Sequence, residues 1–366
     1  MENIQSPKRA LIAMSGGVDS SVAAMLMCRE GYECIGVTMK LYDNEDIGLS
    51  KGHTCCSLDD VEDARGVAYQ LGMRFYVMNF KEDFSEKVID RFVDAYETGR
   101  TPNPCIDCNR YMKFAKLYHR AQEVGCDTIV TGHYARIEYD ESRGRWLLKK
   151  SRNTAKDQSY VLYFMTQEQL AHTRFPLGEF ETKEEVRSLA AEYHFTNAGK
   201  HDSQDICFVK NGCYADFITD YTKKTYPEGD FVDRNGKILG RHKGIIRYTV
   251  GQRKGLGISF GEPMYVVKVD PESNTVVLGH EDELFSRTLT AGELNLLSVD
   301  SLTAGVRYKA KVRYSQTEAP CTVDFADDRS VKITFDQPQR AITCGQSVVL
   351  YDGDIVVGGG IITGTE

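Results

Sequence analysis

Apolar residues fall in short runs along the first part of the chain, and between these runs the spacing becomes helical. Residues 11–14 form the kind of run a buried strand shows. After Asp19, Val22, Ala23, Leu26 and Met27 share one helical face, and Gly31 supplies the stop. Residues 34–38 predict the next strand. Ser57 can cap a helix running to about Leu71, with Asp60 at the capping-box position. Residues 74–79 and 127–131 predict further strands, and 83–98 and 110–124 predict helices. Thr182 and Glu185 open one more helix, ending near Tyr193. This alternation over 1–210 predicts an α/β fold, a doubly wound parallel sheet whose ligands bind at the carboxyl ends of its strands.

After about residue 210 the pattern changes to glycines, turn dipeptides and short β-type runs. Asn235-Gly236 and Asp352-Gly353 are hairpin-turn pairs. Residues 266–269, 275–278, 308–314, 331–335 and 347–351 read as strands. The expected organisation is a first domain over 1–210, a small mixed domain over 211–285 and a C-terminal β-barrel over 286–366.

The 366 residues are 41% hydrophobic and 27% charged, values of a soluble globular protein. No apolar run approaches the ~18–20 residues needed to cross a bilayer. The polar segment 1–8 has no signal-peptide core, so no membrane association is expected and the expected location is cytoplasmic. Eleven Cys, an odd number without a secretion signal, argue against a structural disulfide framework. A net charge of −8 argues against nonspecific coating of nucleic acid, while leaving room for local basic surfaces.

Candidate chemistry begins with Ser15-Gly16-Gly17-Val18-Asp19-Ser20-Ser21, at the first strand–helix junction. Two glycines let the backbone approach a polyanion, the helix N-terminus offers N–H groups, and the serines add hydroxyls. The string lacks the Lys of a Walker loop and is not G-x-G-x-x-G. A second signal is T-P-N-P-C-I-D-C-N at 101–109, where two prolines hold a loop ahead of Cys105 and Cys108. C-x-x-C serves a redox pair, a metal or a lowered-pKa thiolate. No second C-x-x-C completes a four-ligand zinc set. Cys55, Cys56 and His53 read as local structure. Cys207, in H-D-S-Q-D-I-C-F at 201–208, would by itself read as a buried thiol.

These motifs occur in one order with T-G-H-Y at 131–134, K-D-Q-S-Y at 156–160 and G-Q-R-K-G-L-G at 251–257. S-G-G-V-D-S resembles the PP-loop of the ATP pyrophosphatases, which have an adenine nucleotide alpha-hydrolase-like fold. The whole set, from about residue 10 to Ile362, closely resembles the tRNA-specific 2-thiouridylases, the MnmA family. The resemblance implies ATP with Mg²⁺, held by Ala13, Met14, Ser15, Gly16, Gly17, Val18, Asp19, Ser20, Met39 and Gly132. Read from the sequence pattern alone, Met39 is a core residue. The reaction implied is thiolation of the wobble uridine in tRNAs for Lys, Glu and Gln, with release of AMP and pyrophosphate. Its sulfur arrives as a persulfide from a cysteine desulfurase, directly or through a relay protein.

Carried over by position, Cys108 is the nucleophile and Cys207 the persulfide carrier, and a transient disulfide between them is implied. Asn103, Pro104, Cys105, His133, Lys156, Asp157 and Gln158 fall near the target base of the anticodon stem-loop, and Arg313, Tyr314 and Gln346 at other tRNA contacts. Many relatives carry Asp where this chain has Cys105. The extra thiol motivates a second expectation, that Cys105, Cys108 and Cys207 ligate a 4Fe–4S cluster, against persulfide chemistry without metal.

Two segments look suited to RNA. Residues 234–261 hold seven Lys or Arg (Arg234, Lys237, Arg241, Lys243, Arg247, Arg253 and Lys254) and no acid. Arg307, Lys309, Lys311 and Arg313 alternate with Tyr308, Ala310, Val312 and Tyr314. On a strand this puts four basic groups on one face, to track a backbone or to protect an exposed sheet edge.

Overall fold

The computed structural model describes residues 8–43, 58–200, 206–209 and 213–366. Ser57, Cys55, Cys56 and His53, and the 201–205 part of the Cys207 motif, lie outside the described residues. The chain divides into two compact units. One gathers Met1–Val88, Cys105–Val209 and Asp354–Val356, and the other Ile89–Pro104, Lys210–Gly353 and Val357–Glu366.

The first unit contains β1 (Arg9–Ala13), β2 (Glu33–Lys40), β3 (Arg74–Asn79), β4 (Thr128–Val130), β5 (Ala135–Asp140), β6 (Arg145–Lys150) and β7 (Thr173–Arg174). Five of these form a parallel sheet in the order β3-β2-β1-β4-β7. Successive residues of β1 point to opposite faces. Ala10 and Ile12 join a core with α1 (Val18–Arg29), α2 (Leu58–Gln70) and the helix Lys183–Glu192, while Leu11 is buried on the other face. A parallel sheet has both faces covered in this way, and the expected α/β architecture is present. The strand order reverses at β1, so the carboxyl ends of β1 and β4 flank the topological switch point, where such sheets bind ligands. The antiparallel β5–β6 hairpin has no counterpart in the apolar pattern, because its strands mix charged and half-buried positions.

In the second unit, β8 (Gly229–Val232), β9 (Ile238–His242), β10 (Tyr265–Asp270) and β11 (Thr275–Gly279) form a sheet in the order β10-β11-β8-β9. Its core is built on Phe231, Val266, Val276 and Leu278. The Asn235-Gly236 pair does turn a hairpin, fixed by Asp233 accepting from the amides of Asn235 (2.8 Å) and Lys237 (2.9 Å).

The C-terminal strands are β12 (Phe285–Leu296), β13 (Arg307–Lys311), β14 (Ala319–Ala326), β15 (Ser330–Arg340), β16 (Ser347–Asp352) and β17 (Ile355–Thr365). They run in the order β12-β15-β14-β13-β16-β17, and β12 pairs with β17 to close a barrel. Leu289, Cys321, Ile333, Phe335 and Leu350 fill its interior. The expected strand over 308–314 is corrected: β13 ends at Lys311, and 312–316 bend away. Nor is β13 a sheet edge, since β14 and β16 flank it.

Candidate nucleotide site and cysteine motifs

Where β1 ends, the Met14 amide donates to the Val37 carbonyl (2.8 Å) and the Thr38 hydroxyl donates to the Met14 carbonyl (2.7 Å). The turn into α1 is therefore held by β2. Gly17 is the N-cap and supplies no side-chain acceptor to the first-turn amides. Those amides and the positive helix end suit an anion. The Ser20 and Ser21 hydroxyls donate to the Gly17 carbonyl (3.0 and 3.1 Å), and Ser20 Oγ accepts from the Ser15 amide (3.2 Å). Two glycines keep the turn open. Gly16 has φ +73°, and a Cβ there would lie 2.3 Å from the Asp60 carbonyl oxygen. A Cβ on Gly132, just past β4, would come within 2.9 Å of the Asp19 carbonyl carbon and the Ser20 nitrogen. These residues fit a polyphosphate at the switch point.

The charges around this turn come from far along the chain. Asp19 Oδ1 accepts from Lys183 Nζ (2.6 Å) and from the Tyr134 hydroxyl (2.8 Å). The Lys183 side chain is only 8% exposed, and its ammonium lies 5.6 Å from the Tyr134 ring centre. Asn197 Nδ2 donates to the Gly16 carbonyl and to Ser21 Oγ, both at 2.9 Å, and its buried Oδ1 has no partner among the described residues. Lys200 pairs with Asp60 and with Asp63 (2.8 Å) and reaches the Gly16 carbonyl at 3.4 Å. Burial pulls the Lys200 ammonium down, but the hydrogen bonds it donates to Asp60 and Asp63 outweigh it and raise its pKa. Asp60 thus serves Lys200, whereas the sequence pattern offered it only a capping role.

Lys183, Asn197 and Lys200 escape the sequence reading. One signal was available for Lys183. It is the first residue of its helix, after the Thr182 cap, where a cation opposes the helix dipole.

The motif after β4 is mostly buried. His133 Nδ1 meets the Thr131 hydroxyl at 2.7 Å, and its ring packs between Phe114 and Phe175. Burial, with a smaller contribution from Lys113, holds the His133 pKa well below the usual 6.5. Asp157 is buried and accepts from the Ser151 amide (3.0 Å) and the Ser159 hydroxyl (2.8 Å). Gln158 and Tyr134 bond reciprocally, backbone amide to carbonyl (2.8 Å) and Tyr134 amide to Gln158 Oε1 (2.9 Å). Lys156 is half-buried beside them, and Met39 is half-buried near the end of β2.

Cys105 is exposed in the short helix Pro104–Asp107, and Cys108 is half-buried at the start of the next helical segment, Cys108–Lys116. Asn109 anchors that segment through the Val161 carbonyl (3.2 Å), and Lys116 through Asp83 (2.9 Å). Cys207 is also half-buried. Its carbonyl accepts from the Tyr42 hydroxyl (3.0 Å), and neighbouring Phe208 packs edge-on against Phe84 (5.7 Å). Among the described residues no group of three or more His, Cys, Asp or Glu is placed to hold a metal ion.

In the second unit, Arg313 Nη2 donates to the Ala341 carbonyl (2.5 Å), Thr343 Oγ1 (3.0 Å) and the Val250 carbonyl (3.4 Å). Tyr314 is exposed. Gln346 Nε2 donates to the carbonyls of Thr101 (2.9 Å) and Pro102 (3.1 Å), in the loop that also carries half-buried Asn103. The basic segment is less bare than its sequence suggests, because acids outside it fold onto it. Arg234 pairs with Glu283, Arg241 with Asp230 (3.3 Å) and Arg247 with Asp216 (2.8 Å). Lys237, Lys243, Arg253 and Lys254 are exposed and form no ion pair among the described residues.

A parallel α/β sheet with an anion-ready turn after its first strand, closed by a glycine after its fourth, defines a nucleotide-binding protein of the HUP class. Residues 8–211 match the family described as tRNA methyl transferase HUP domain. Residues 215–280 match its PRC-barrel domain, and 286–362 an aminomethyltransferase beta-barrel domain. The tRNA-specific 2-thiouridylase MnmA of Clostridioides difficile (strain 630) is 55% identical over 97% of this chain and 98% of its own. That of Acetivibrio thermocellus is 55% identical over 98% of this chain and 99% of its own. The chain belongs to the tRNA-specific 2-thiouridylase family. A solved 4-thiouridine synthetase–RNA complex with bound ATP aligns over 59% of this chain and 50% of its own, at 19% identity and a TM-score of 0.38. Among the described residues no helix is long and apolar enough to cross a membrane.

Proposed function

We propose that this chain is an ATP-dependent tRNA-uridine 2-sulfurtransferase acting on the wobble uridine, position 34, of tRNAs for Lys, Glu and Gln. The observation that carries this reading is the turn after β1, open to a polyphosphate, in a chain that belongs to the 2-thiouridylase family. ATP, as its Mg²⁺ complex, binds over 13–20 with Gly132 and Met39. The uridine O2 attacks its α-phosphorus, forming a bond to AMP as the α–β phosphoanhydride breaks and pyrophosphate leaves. A carbonyl oxygen is a poor leaving group, and as part of an AMP ester it becomes a good one.

A persulfide on Cys207, charged by a cysteine desulfurase or relay protein, supplies the sulfur. Its terminal sulfur attacks C2 and AMP departs. The Cys108 thiolate then attacks the Cys207 sulfur, which breaks the S–S bond to the base and forms a Cys108–Cys207 disulfide. An external thiol reductant resets the pair. Thiolates and persulfides suit this role near neutral pH. By the family resemblance, Asn103, Pro104, Cys105, His133, Lys156, Asp157 and Gln158 fall near the base in this reading. His133 and Asp157 are buried, so they act by shaping the walls around it. Iron and sulfide analysis of anaerobically purified protein decides between persulfide chemistry and a 4Fe–4S cluster.

The test is mass spectrometry of wobble nucleosides after incubation of tRNA with ATP and a persulfide donor. Wild type is expected to form 2-thiouridine, and Cys108→Ser and Cys207→Ser are expected to form none. Full activity of Cys108→Ser would remove Cys108 as the nucleophile, and no 2-thiouridine from wild type would favour another ATP pyrophosphatase chemistry, such as amide or lysidine formation.

A further inference from the structure

Within the second unit the loop leading to the cysteine helix is gripped from two sides. On one side, Gln346 Nε2 donates to both the Thr101 and Pro102 carbonyls, and the Thr101 amide donates to the Cys344 carbonyl (3.0 Å). On the other, Thr101 Oγ1 and Thr249 Oγ1 meet at 2.7 Å. The approach is close enough to demand glycine: Gly345 has φ +90°, and a Cβ there would lie 3.0 Å from Arg100 Cβ and 3.1 Å from the Thr101 amide nitrogen. Behind the loop, the Gly345 amide donates to the Ile362 carbonyl (2.9 Å), and the Ile362 amide returns to the Gln346 carbonyl (2.8 Å). Gln346, in the turn just ahead of β16, is thus tied by its backbone to β17, a stave of the closed barrel. Thr249 adjoins Val250, whose carbonyl Arg313 holds.

We propose that Gln346 is a positioning residue. With Thr249 it fixes the backbone of Thr101 and Pro102, and through chain continuity the entry to the helical segment bearing Cys105 and Cys108. Its amide donors serve this loop rather than an RNA group. The proposal rests on the sulfurtransferase reading for its consequence, but the grip itself can be tested without catalysis. Two carbonyls held by one side-chain amide that is tied by its backbone to a barrel strand leave the loop little freedom, and small misplacements of a nucleophile are costly. A shift of about 1 Å is worth roughly 100-fold in rate.

Full-length Gln346→Glu keeps the shape and loses the donors. Three quantities decide: single-turnover thiolation with tRNA at saturation, the tRNA dissociation constant, and the rate at which iodoacetamide alkylates Cys108 without RNA, followed on its peptide by mass spectrometry. Expected are a rate loss of about 10- to 100-fold, a Kd within about twofold of wild type, and a several-fold change in Cys108 alkylation. Thr249→Val should move rate and alkylation the same way, and Thr249→Ser should restore both. A rise in Kd matching the rate loss, with Cys108 alkylation unchanged, would make Gln346 an RNA contact and overturn the proposal. If wild type thiolates no uridine, the sulfurtransferase reading fails, while the alkylation rates still decide whether Gln346 holds the loop.

Discussion

Lys183 and Asp19, separated by 164 positions in sequence, meet at 2.6 Å over the first turn of α1. The carboxylate would repel the anion that the turn is built to receive. A buried ammonium beside it cancels that charge and leaves the helix end net positive. Lys183→Met is expected to weaken equilibrium ATP binding and to lower stability by about 1.5–3 kcal/mol, the usual cost of losing a hydrogen bond to a charged group. Urea unfolding measures the second effect and calorimetry the first. Unchanged ATP affinity would place this ion pair outside the reach of the nucleotide.

Gly132→Ala tests the close approach of β4 to the phosphate loop. The added Cβ would sit 2.9 Å from the Asp19 carbonyl carbon and the Ser20 nitrogen, so the first turn of α1 has to shift. Overpacking of this kind costs about 1–3 kcal/mol. ATP affinity is expected to fall about tenfold. Normal ATP binding by a variant that still folds would show that the turn yields without disturbing the site.

The basic segment separates into two groups under salt titration. Arg253→Ala or Lys254→Ala should lower the slope of log K against log[salt] for tRNA by roughly 0.7–0.9 each. Arg241→Ala should lower it less, because Asp230 already neutralises that charge. Arg313→Ala should leave the slope near wild type and the ATP affinity intact, since its guanidinium is committed to carbonyls and Thr343. A full-sized drop in slope for Arg313→Ala would mean that RNA takes the guanidinium from those carbonyls.

His133 predicts an acid limb in stability. Its folded pKa is depressed by burial below the unfolded value near 6.5, so the unfolded chain binds the proton first. The stability present above pH 6.5 is lost as pH falls below it. His133→Asn retains a polar partner for Thr131 and does not titrate. Its unfolding free energy should fall less steeply over that window. Parallel pH profiles for the two proteins would remove His133 as the cause.

The phosphate loop is legible in sequence because its parts are contiguous: strand, glycines, serines and helix follow one another from Ala13 to Ser21. The cysteine motifs are legible for the same reason. What escapes depends on distant partners. Lys183 reads as an ordinary helix residue until Asp19 lies beside it. Asp60 reads as half of a cap until Lys200 takes it. The run from Arg234 to Lys254 looks uncompensated because Asp216, Asp230 and Glu283 lie outside it or on the neighbouring strand. The alternation from Arg307 is real only as far as Lys311. Beyond that point the guanidinium of Arg313 is drawn to the carbonyls of Val250 and Ala341, and the period-two pattern continues in letters without a strand beneath it.

The strand β17 begins among residues that cluster with the nucleotide-binding unit, where Ile355 pairs with Lys149 of β6, and continues as the stave that shuts the barrel against β12. During synthesis, the β5–β6 hairpin therefore waits about two hundred residues, until Ile355 is made, before it gains its outer neighbour. A nonsense codon just ahead of Ile355 would leave two unfinished bodies, each with a bare strand edge open to aggregation.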